Sequence, residues 1–279
     1  MMNEGTSVAR SVLPAHQSSA TPSLVLLKAG GGNCPIFMTH GLGGTVNEFL
    51  RLTDHLQVSD PIYGLQEKGM DGLSEPLDRI EDMAEFHLDA IRQLQPHGPY
   101  FLIGYSLGGL VSLEIAQRLS RAGEPIALLA MVDSYPDRRY LSLRQRLRLF
   151  LRLARWRTSL IRAGAERNES EATEGRHANA SDRSHSDESA ARVLARLKEC
   201  QRRAWRNYRP QFYGGKINFV KAEIPSSFPA DPVAIWAPLS REFEIESVSS
   251  DHVGLLTTHT ASVARVLSRY LAEAAEQQS

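Results

Sequence analysis

Short apolar runs alternate along this chain with longer stretches in which apolar residues recur at every third or fourth position. Such runs are typical of strands buried in a sheet, and the longer period is that of an amphipathic helix. The sequence predicts strands at Leu24–Lys28, Ile36–Thr39, Ile62–Gly64, Tyr100–Gly104, Ile126–Val132, Ile217–Lys221 and Phe243–Val248. It predicts helices at Val46–Leu56, Arg79–Leu94, Leu107–Ala122 and Ala261–Ala275. This alternation indicates an α/β fold with a mostly parallel central sheet flanked by helices.

The alternation is interrupted between the fifth and sixth predicted strands, at about residues 136–212. Residues 138–162 mix leucines with nine arginines and contain no acidic residue. Residues 166–189 have almost no apolar side chains to bury, so their composition predicts a disordered loop. Helical periodicity returns at Ala190–Tyr208. We therefore predict that residues 136–212 form an inserted helical lid, of the kind that excludes water and shapes substrate entry.

Length and composition limit the class of protein. The 279 residues suffice for one α/β domain with an insertion, predicted at residues 22–279 after a flexible polar leader at residues 1–21. A net charge of zero argues against a nucleic-acid-binding protein. The leader lacks the apolar core of a secretory signal, and no apolar run is long enough to span a bilayer. We expect a cytoplasmic protein without a membrane span. Its two cysteines, Cys34 and Cys200, suggest neither a disulfide framework nor a metal cluster.

The clearest chemical motif follows the fourth predicted strand and reads Gly104-Tyr105-Ser106-Leu107-Gly108-Gly109. A strand, a Gly-x-Ser-x-Gly turn and a helix together form a nucleophile elbow, which holds the serine in a strained backbone conformation. Glycines at positions 104 and 108 tolerate the close contacts of such a turn. The Ser106 hydroxyl would lie above the sheet, at the positive end of the next helix. The alternative interpretation is an ordinary glycine-rich loop, but the flanking patterns favour Ser106 as a catalytic nucleophile.

A serine nucleophile needs a base and an acid that orients the base, and in hydrolases with this elbow the chain order is serine, acid, histidine. His252 follows the last predicted strand and fits that order, whereas the alternative, His259, lies where the last helix begins. Asp133 ends the fifth predicted strand and would lie at the carboxyl edge of the sheet, although it could simply begin a turn. Glu223 and Asp231 follow the sixth strand. Chain position favours Asp133 without excluding these two.

A second glycine-rich segment, His40-Gly41-Leu42-Gly43-Gly44, follows the second predicted strand. This is where the first loop of an oxyanion hole belongs, because glycines let backbone amides approach a reacting carbonyl. The amide of Leu107, next to the serine, would be the second donor. We expect His40 to orient the loop rather than act as a base. The segment does not match a phosphate-binding loop, and no cofactor or metal site is expected.

Several stretches together resemble the thioesterase domains that release products from nonribosomal peptide and polyketide synthases. They are Tyr63–Gln66, Gln95–Tyr100, Gly104–Gly109, Met131–Ser134, Tyr208–Pro210 and Asp251–His252. The resemblance extends from about Ser23 to the C-terminal helix, with the stretches in the same order. It implies the α/β-hydrolase fold. That family places its acid after the strand that follows the elbow helix, which favours Asp133, and the resemblance also implies that Leu42 and Leu107 supply the oxyanion-hole amides.

The implied activity is that of a serine thioesterase. It would release acyl, peptidyl or polyketide chains from the phosphopantetheine thioester of a carrier protein, or from acyl-CoA, through an acyl-enzyme. Because the chain begins at its own methionine without a carrier domain, we expect an acyl or peptidyl carrier protein to be supplied in trans. A carboxylesterase or lipase with the same triad is one alternative. A non-catalytic carrier-binding module is another.

The arginines at residues 138–162 permit further interpretations. They could form a solvated helix face whose charge the acidic loop beyond it balances. They could instead form a docking surface for an acidic carrier protein, where their charges would mainly steer association. A membrane-surface role is the third possibility.

Overall fold

The computed structural model describes residues 23–43, 45–140, 185–224 and 231–278, except for the side chains of residues 138 and 185–189. The predicted leader, residues 1–21, therefore lies outside the described residues. So do residues 141–184, which include most of the arginine-rich part of the predicted lid and most of its predicted disordered loop.

Within the part of the chain that the structure describes, seven strands form one sheet. They are β1 (Leu24–Lys28), β2 (Ile36–Thr39), β3 (Ile62–Leu65), β4 (Tyr100–Tyr105), β5 (Ile126–Val132), β6 (Tyr213–Ala222) and β7 (Ser240–Val248). Their order across the sheet is β1-β3-β2-β4-β5-β6-β7. β1 pairs with β3 antiparallel, and every other pair of neighbours is parallel. The predicted mostly parallel α/β sheet is thus confirmed, with the crossover connections that parallel neighbours require.

The first five strands begin and end within one residue of their predicted bounds, but the last two begin earlier. β6 begins at Tyr213 and includes Gly214 and Lys216, residue types that disfavour strands. Tyr213 pairs with Ser240, the first residue of β7, and the register shifts before Lys216. Pairing between the two strands therefore overrides the local propensity from which the strand bounds were predicted.

In the described residues, six α-helices accompany the sheet. They are α1 (Leu50–His55), α2 (Ile80–Leu94), α3 (Leu107–Arg121), α4 (His185–Asn207), α5 (Pro232–Trp236) and α6 (Thr260–Glu276). The predicted helix at Val46–Leu56 consists of a 3-10 turn at Val46–Phe49 followed by α1. The helix α5 was not predicted, since five residues are too short to show a period. In the described part of the chain, no helix is long and apolar enough to cross a membrane.

The sheet carries an apolar core on each face. Successive residues of β4 show the division, because Leu102 belongs to one core cluster while Phe101 and Ile103 belong to the other. Residues of α2 and α3 complete the first cluster, and residues of α1 and α6 complete the second. The helices thus cover both faces and leave the carboxyl ends of the parallel strands at one edge, where loops are available for chemistry.

The described part of the predicted lid contains α4, which we call the lid helix. It begins at His185, so the last residues of the segment predicted to be disordered, 185–189, are helical. Adding residues to the end of a formed helix has a small free-energy cost even for polar residues, because the large entropic cost of nucleation applies only to the first turn. Leu197, Gln201 and Ala204 are buried on one face of the lid helix, so that face packs against the domain.

Candidate active site

Ser106 occupies the turn between β4 and α3. Its φ of 54° and ψ of −116° form a strained conformation for a residue with a Cβ atom. Its amide donates to the carbonyl of Val132 at 2.9 Å, and its carbonyl accepts from the Ser134 hydroxyl at 2.5 Å. Both partners belong to β5 or the loop after it. The neighbouring strand therefore holds the predicted elbow in place.

Close backbone contacts explain the glycines of the elbow. A Cβ atom on Gly108 would lie 2.1 Å from the carbonyl oxygen of Thr39, and one on Gly104 would lie 2.3 Å from the carbonyl oxygen of Gly108. These neighbours are backbone atoms of β2 and α3, which cannot rotate away. The elbow thus packs directly against the end of β2, where the glycine-rich loop begins.

We expect Gly108→Ala to lower the free energy of unfolding by about 2 kcal/mol or more, because the added methyl group overpacks a site walled by backbone. Chemical denaturation measures this effect. The matched control is Gly214→Ala in β6, where an added Cβ meets no atom within 4 Å. Equal stability of the two variants would contradict the packing that we describe at the elbow.

The structure brings Ser106, His252 and Asp133 into one hydrogen-bonded line. His252 Nε2 lies 3.1 Å from Ser106 Oγ, and His252 Nδ1 lies 2.7 Å from Asp133 Oδ2. Ser106 lies in the turn after β4, Asp133 in the loop after β5 and His252 in the loop after β7. Since β4 and β5 are neighbours in the sheet, their carboxyl ends place the serine and the carboxylate on the same edge.

Asp133 is held in a specific orientation. It is buried, with a φ of 46°. Its Oδ1 atom accepts hydrogen bonds from the Ala222 amide and from the Tyr135 hydroxyl, both at 3.2 Å. The other oxygen, Oδ2, is turned toward His252. Fixed donors therefore hold Oδ1, and Oδ2 is the oxygen that accepts from His252.

Tyr105, the residue before the serine, positions the histidine. Its ring stacks on the imidazole of His252 with a centroid separation of 5.0 Å, and its hydroxyl donates to the His252 carbonyl at 2.9 Å. Tyr105 was not among the predicted site residues. Its only local signal was an aromatic side chain inside the elbow motif, and its partner lies 147 positions away.

The alternative acids, Asp231 and Glu223, and the alternative base, His259, make none of the hydrogen bonds that Ser106 forms with the described residues. Asp231 caps α5 by accepting from the Ala234 amide at 3.1 Å, and Glu223 is exposed after β6. His259 precedes α6, where its Nδ1 atom lies 2.8 Å from the Thr258 hydroxyl. The residues that the structure gathers at Ser106 are Asp133 and His252.

The glycine-rich loop after β2 is held on both sides of Leu42. The Gly41 amide donates to Glu48 Oε1 at 2.5 Å, and the Gly43 amide donates to Gln201 Oε1 at 2.7 Å. Among the described residues, no hydrogen bond is found to the amide of Leu42 or to that of Leu107. These two predicted oxyanion-hole amides therefore remain available to a ligand.

A cavity of about 300 Å³ opens onto Ser106. Leu42 and Leu107 line it beside the serine, and Tyr135 forms part of its wall. The lid helix contributes Arg202, Trp205 and Arg206 to the same cavity. A larger cavity of about 440 Å³ lies at the amino ends of β2 and β4, away from the edge at which α/β sheets bind their ligands.

A family model described as "Thioesterase domain" matches residues 34–271, which is most of the chain. The chain belongs to the thioesterase domain family. The predicted resemblance is thereby confirmed, and the matched range includes every residue of the arrangement around Ser106.

Curated relatives of this thioesterase domain include synthetases much longer than this chain. The chain is 39% identical over 111 residues to malpibaldin synthetase of Mortierella alpina, covering 40% of this chain and 2% of that protein. It is also 39% identical over 119 residues to a dimodular nonribosomal peptide synthase of Bacillus subtilis (strain 168), covering 43% of this chain and 5% of that protein. The chain thus spans only a small part of the length of these relatives.

Solved structures show the same fold. The NocB thioesterase domain, in covalent complex with a fluorophosphonate nocardicin G analog, has a TM-score of 0.64 at 20% identity, over 89% of this chain and 99% of that one. The type II thioesterase BorB from the borrelidin biosynthetic cluster has a TM-score of 0.65 at 17% identity, over 91% of this chain and all of that one. These matches confirm the predicted α/β-hydrolase fold.

Beneath the glycine-rich loop, the thioesterase domain buries three titratable side chains that the sequence did not group. They are His40, Glu67 and His87, and one ring nitrogen or carboxylate oxygen from each lies within 4.8 Å of the other two. Among the described residues this is the one group of potential metal ligands, whereas the sequence predicted none. Burial raises the pKa of Glu67 to about 7 and lowers the pKa values of His40 to about 4 and of His87 to about 3. All three groups are therefore neutral in slightly acidic solution.

These shifts act on stability in opposite directions. The native state binds fewer protons at His40 and His87 than the unfolded state does up to about pH 6.5, so these groups make the free energy of unfolding rise with pH there. Glu67 keeps a proton in the native state between pH 4.5 and about 7 that the unfolded state loses, so it makes the free energy of unfolding fall with pH.

We expect Glu67→Gln to remove that fall. The difference in free energy of unfolding, variant minus wild type, should rise between pH 4.5 and about 7 by up to about 1.4 kcal/mol per pH unit. Denaturation curves measured across this range test it, with the exposed Glu223→Gln as the control. A difference that does not change with pH would contradict a proton on Glu67.

Proposed function

We propose that this domain is a serine thioesterase that releases acyl, peptidyl or polyketide chains from a phosphopantetheine thioester through an acyl-enzyme. The observation that carries the proposal is the continuous line of hydrogen bonds from Asp133 through His252 to Ser106. It ends beside the two available amides of Leu42 and Leu107, at the cavity. A nucleophile, a base, an orienting acid and two oxyanion donors are the parts that acyl transfer requires.

In the first half of the reaction, the Ser106 hydroxyl attacks the thioester carbonyl while His252 Nε2 accepts its proton. The carbonyl oxygen becomes an oxyanion, which the Leu42 and Leu107 amides stabilise; one such donor is typically worth about 3–4 kcal/mol of barrier. The carbon–sulfur bond then breaks, and the departing sulfur takes the proton from His252. The acyl group remains as an ester on Ser106.

In the second half, water loses a proton to His252 and attacks the ester carbonyl. The carbon–oxygen bond to Ser106 breaks, and His252 returns the proton to the serine. Asp133 supports both halves, since its Oδ2 atom accepts from Nδ1–H and so keeps Nε2 free to accept a proton. A hydroxyl or amine within the acyl chain could replace water and give a cyclic product by the same steps.

The proposed partner is an acyl or peptidyl carrier protein, which would present its thioester in trans. Two curated relatives, a dimodular nonribosomal peptide synthase and a polyketide synthase, support a carrier protein as the partner. Leu42, Leu107 and Trp205 give the cavity apolar surface that suits an acyl chain, and Arg202 and Arg206 line it from the lid helix.

A comparison of leaving groups tests the proposal. Acyl-pantetheine and acyl-carrier thioesters of graded chain length should be hydrolysed with higher kcat/KM than p-nitrophenyl esters of the same acyl groups. A preference for the esters would indicate a carboxylesterase instead. A fluorophosphonate that labels active-site serines should modify Ser106, and no labelling together with no turnover would indicate a carrier-binding module without catalysis.

A further inference from the structure

The lid helix reaches the glycine-rich loop through Gln201. This side chain is fully buried, and its Oε1 atom accepts the Gly43 amide at 2.7 Å across 158 positions of sequence. Its Nε2 atom donates to Glu67 Oε2 at 3.4 Å. Both ends of the Gln201 amide are thus in use, one on the loop and one on a buried carboxyl group.

The backbone conformation of the glycine-rich loop depends on side chains outside the loop. Gly43 has a φ of 126°, a conformation that favours glycine, and a glycine has no side chain that could stabilise this conformation by its own contacts. Glu48 holds the Gly41 amide on one side of Leu42, and Gln201 holds the Gly43 amide on the other. The direction of the Leu42 amide between them therefore depends on both contacts.

We propose that Gln201 is a positioning residue through which the lid helix completes the oxyanion hole, by fixing the Leu42 amide in its catalytic direction. The proposal rests on the proposed thioesterase function. Gln201 is not among the residues that line the cavity at Ser106, so it acts through Gly43 and Leu42. Removing it would leave the Gly43 amide without its partner and the loop free to turn.

A second buried side chain holds the loop next to Gly41. His40 Nδ1 lies 2.8 Å from the Gly41 carbonyl, so this nitrogen carries the hydrogen and donates to it. His40 Nε2 lies 3.8 Å from Glu67 Oε2, beyond hydrogen-bond distance, and the same Glu67 oxygen accepts from Gln201. The loop is thus held at the Gly41 carbonyl by His40 and at the Gly43 amide by Gln201.

The position of the lid helix also couples this network to substrate. Arg202, Trp205 and Arg206 line the cavity from the same helix that carries Gln201. Trp205 Nε1 donates to the Tyr135 carbonyl at 2.9 Å, and Tyr208, just beyond the helix, donates to Glu114 at 3.1 Å. A shift of the lid helix would therefore change the cavity wall and the oxyanion loop together.

The first test is Gln201→Met, which keeps the buried volume and removes both hydrogen bonds. We expect kcat for acyl-pantetheine to fall about 10- to 100-fold, less than or equal to the loss of a whole oxyanion donor, with KM changed less than threefold. Affinity for a boronic acid analogue, which forms a tetrahedral adduct at the serine, should fall in parallel. Affinity for an uncleavable ether analogue of the substrate should not. Gln117→Met, another buried glutamine that bonds to a backbone carbonyl, is the control.

The second test exchanges the two side chains. Gln201→Glu alone places a second carboxyl group against Glu67 and should lower kcat at least tenfold. Combined with Glu67→Gln, the new carboxylate can accept from the Gly43 amide, while the new amide at position 67 donates a hydrogen to that carboxylate. We expect the double variant to recover kcat to within about fivefold of wild type. Because the exchange restores the network, recovery would show that the contacts, rather than folding alone, matter.

The outcomes separate this inference from the proposed function. A wild type that hydrolyses no thioester would overturn the function itself. An active wild type with an equally active Gln201→Met variant would overturn only the role of Gln201. So would a double variant no better than the worse single variant, or a Gln201→Met variant that loses affinity equally for the boronic acid and for the ether analogue.

Discussion

Replacing Ser106 by alanine is expected to abolish thioester hydrolysis, with kcat lowered by at least about 10⁴-fold, while the fold stays intact. The serine is only partly buried at its turn, so the truncation leaves no core cavity. Alanine also accepts the same backbone strain, since both residues carry a Cβ atom. What disappears is the oxygen that lies 3.1 Å from His252 Nε2.

Turnover of acyl-pantetheine measures the loss, and circular dichroism and denaturation confirm the fold. Ser262→Ala on α6 is a control for the loss of a serine hydroxyl elsewhere, and it should leave kcat unchanged. Residual activity in Ser106→Ala within tenfold of wild type would mean that another group is the nucleophile.

The elbow could be predicted because its determinants are local. β4, the serine turn and α3 follow one another directly, so apolar runs, glycines and helical periodicity mark all three in one stretch of chain. The choice of acid was harder, because Asp133, Glu223 and Asp231 all follow strands in a suitable part of the sequence. Only the pairing of β4 with β5 places one of them beside Ser106.

The network behind the oxyanion loop could not be predicted in this way. Gln201 interrupts the apolar stripe of the lid helix, and His87 lies on the buried face of α2, so each signals a buried polar group without indicating its partner. Gln201 lies 134 positions from Glu67 and 158 from Gly43. Only the packing of the lid helix onto the domain brings these residues together.

The early start of β6 shows a similar limit. Glycines near its start disfavour a strand, yet Tyr213 and Lys216 on either side of them pair with β7. Short-range patterns thus located the strands and the longer helices, whereas contacts between elements determined the ends of β6 and β7 and the surroundings of the site.

Asp133→Asn should lower kcat by about 10⁴-fold with little change in KM, for a reason that the hydrogen bonds specify. The Ala222 amide and the Tyr135 hydroxyl both donate to Oδ1, so the oxygen of the new amide should keep that side. Its NH₂ group then faces His252 Nδ1 and donates to it. The imidazole must carry its hydrogen on Nε2, where it can no longer accept the serine proton.

Kinetics on acyl-pantetheine test this expectation, with two charge-matched controls. Glu223→Gln and Asp231→Asn remove the other candidate carboxylates and should each leave kcat within about threefold of wild type, because Glu223 is exposed and asparagine can cap α5 as aspartate does. The pH profile adds a second readout, since a wrong tautomer lowers kcat at every pH, whereas a shifted base would recover activity at another pH. If Asp133→Asn stays active while one of the controls is crippled, the orienting acid lies after β6, and the hydrogen bond between His252 and Asp133 is not the catalytic one.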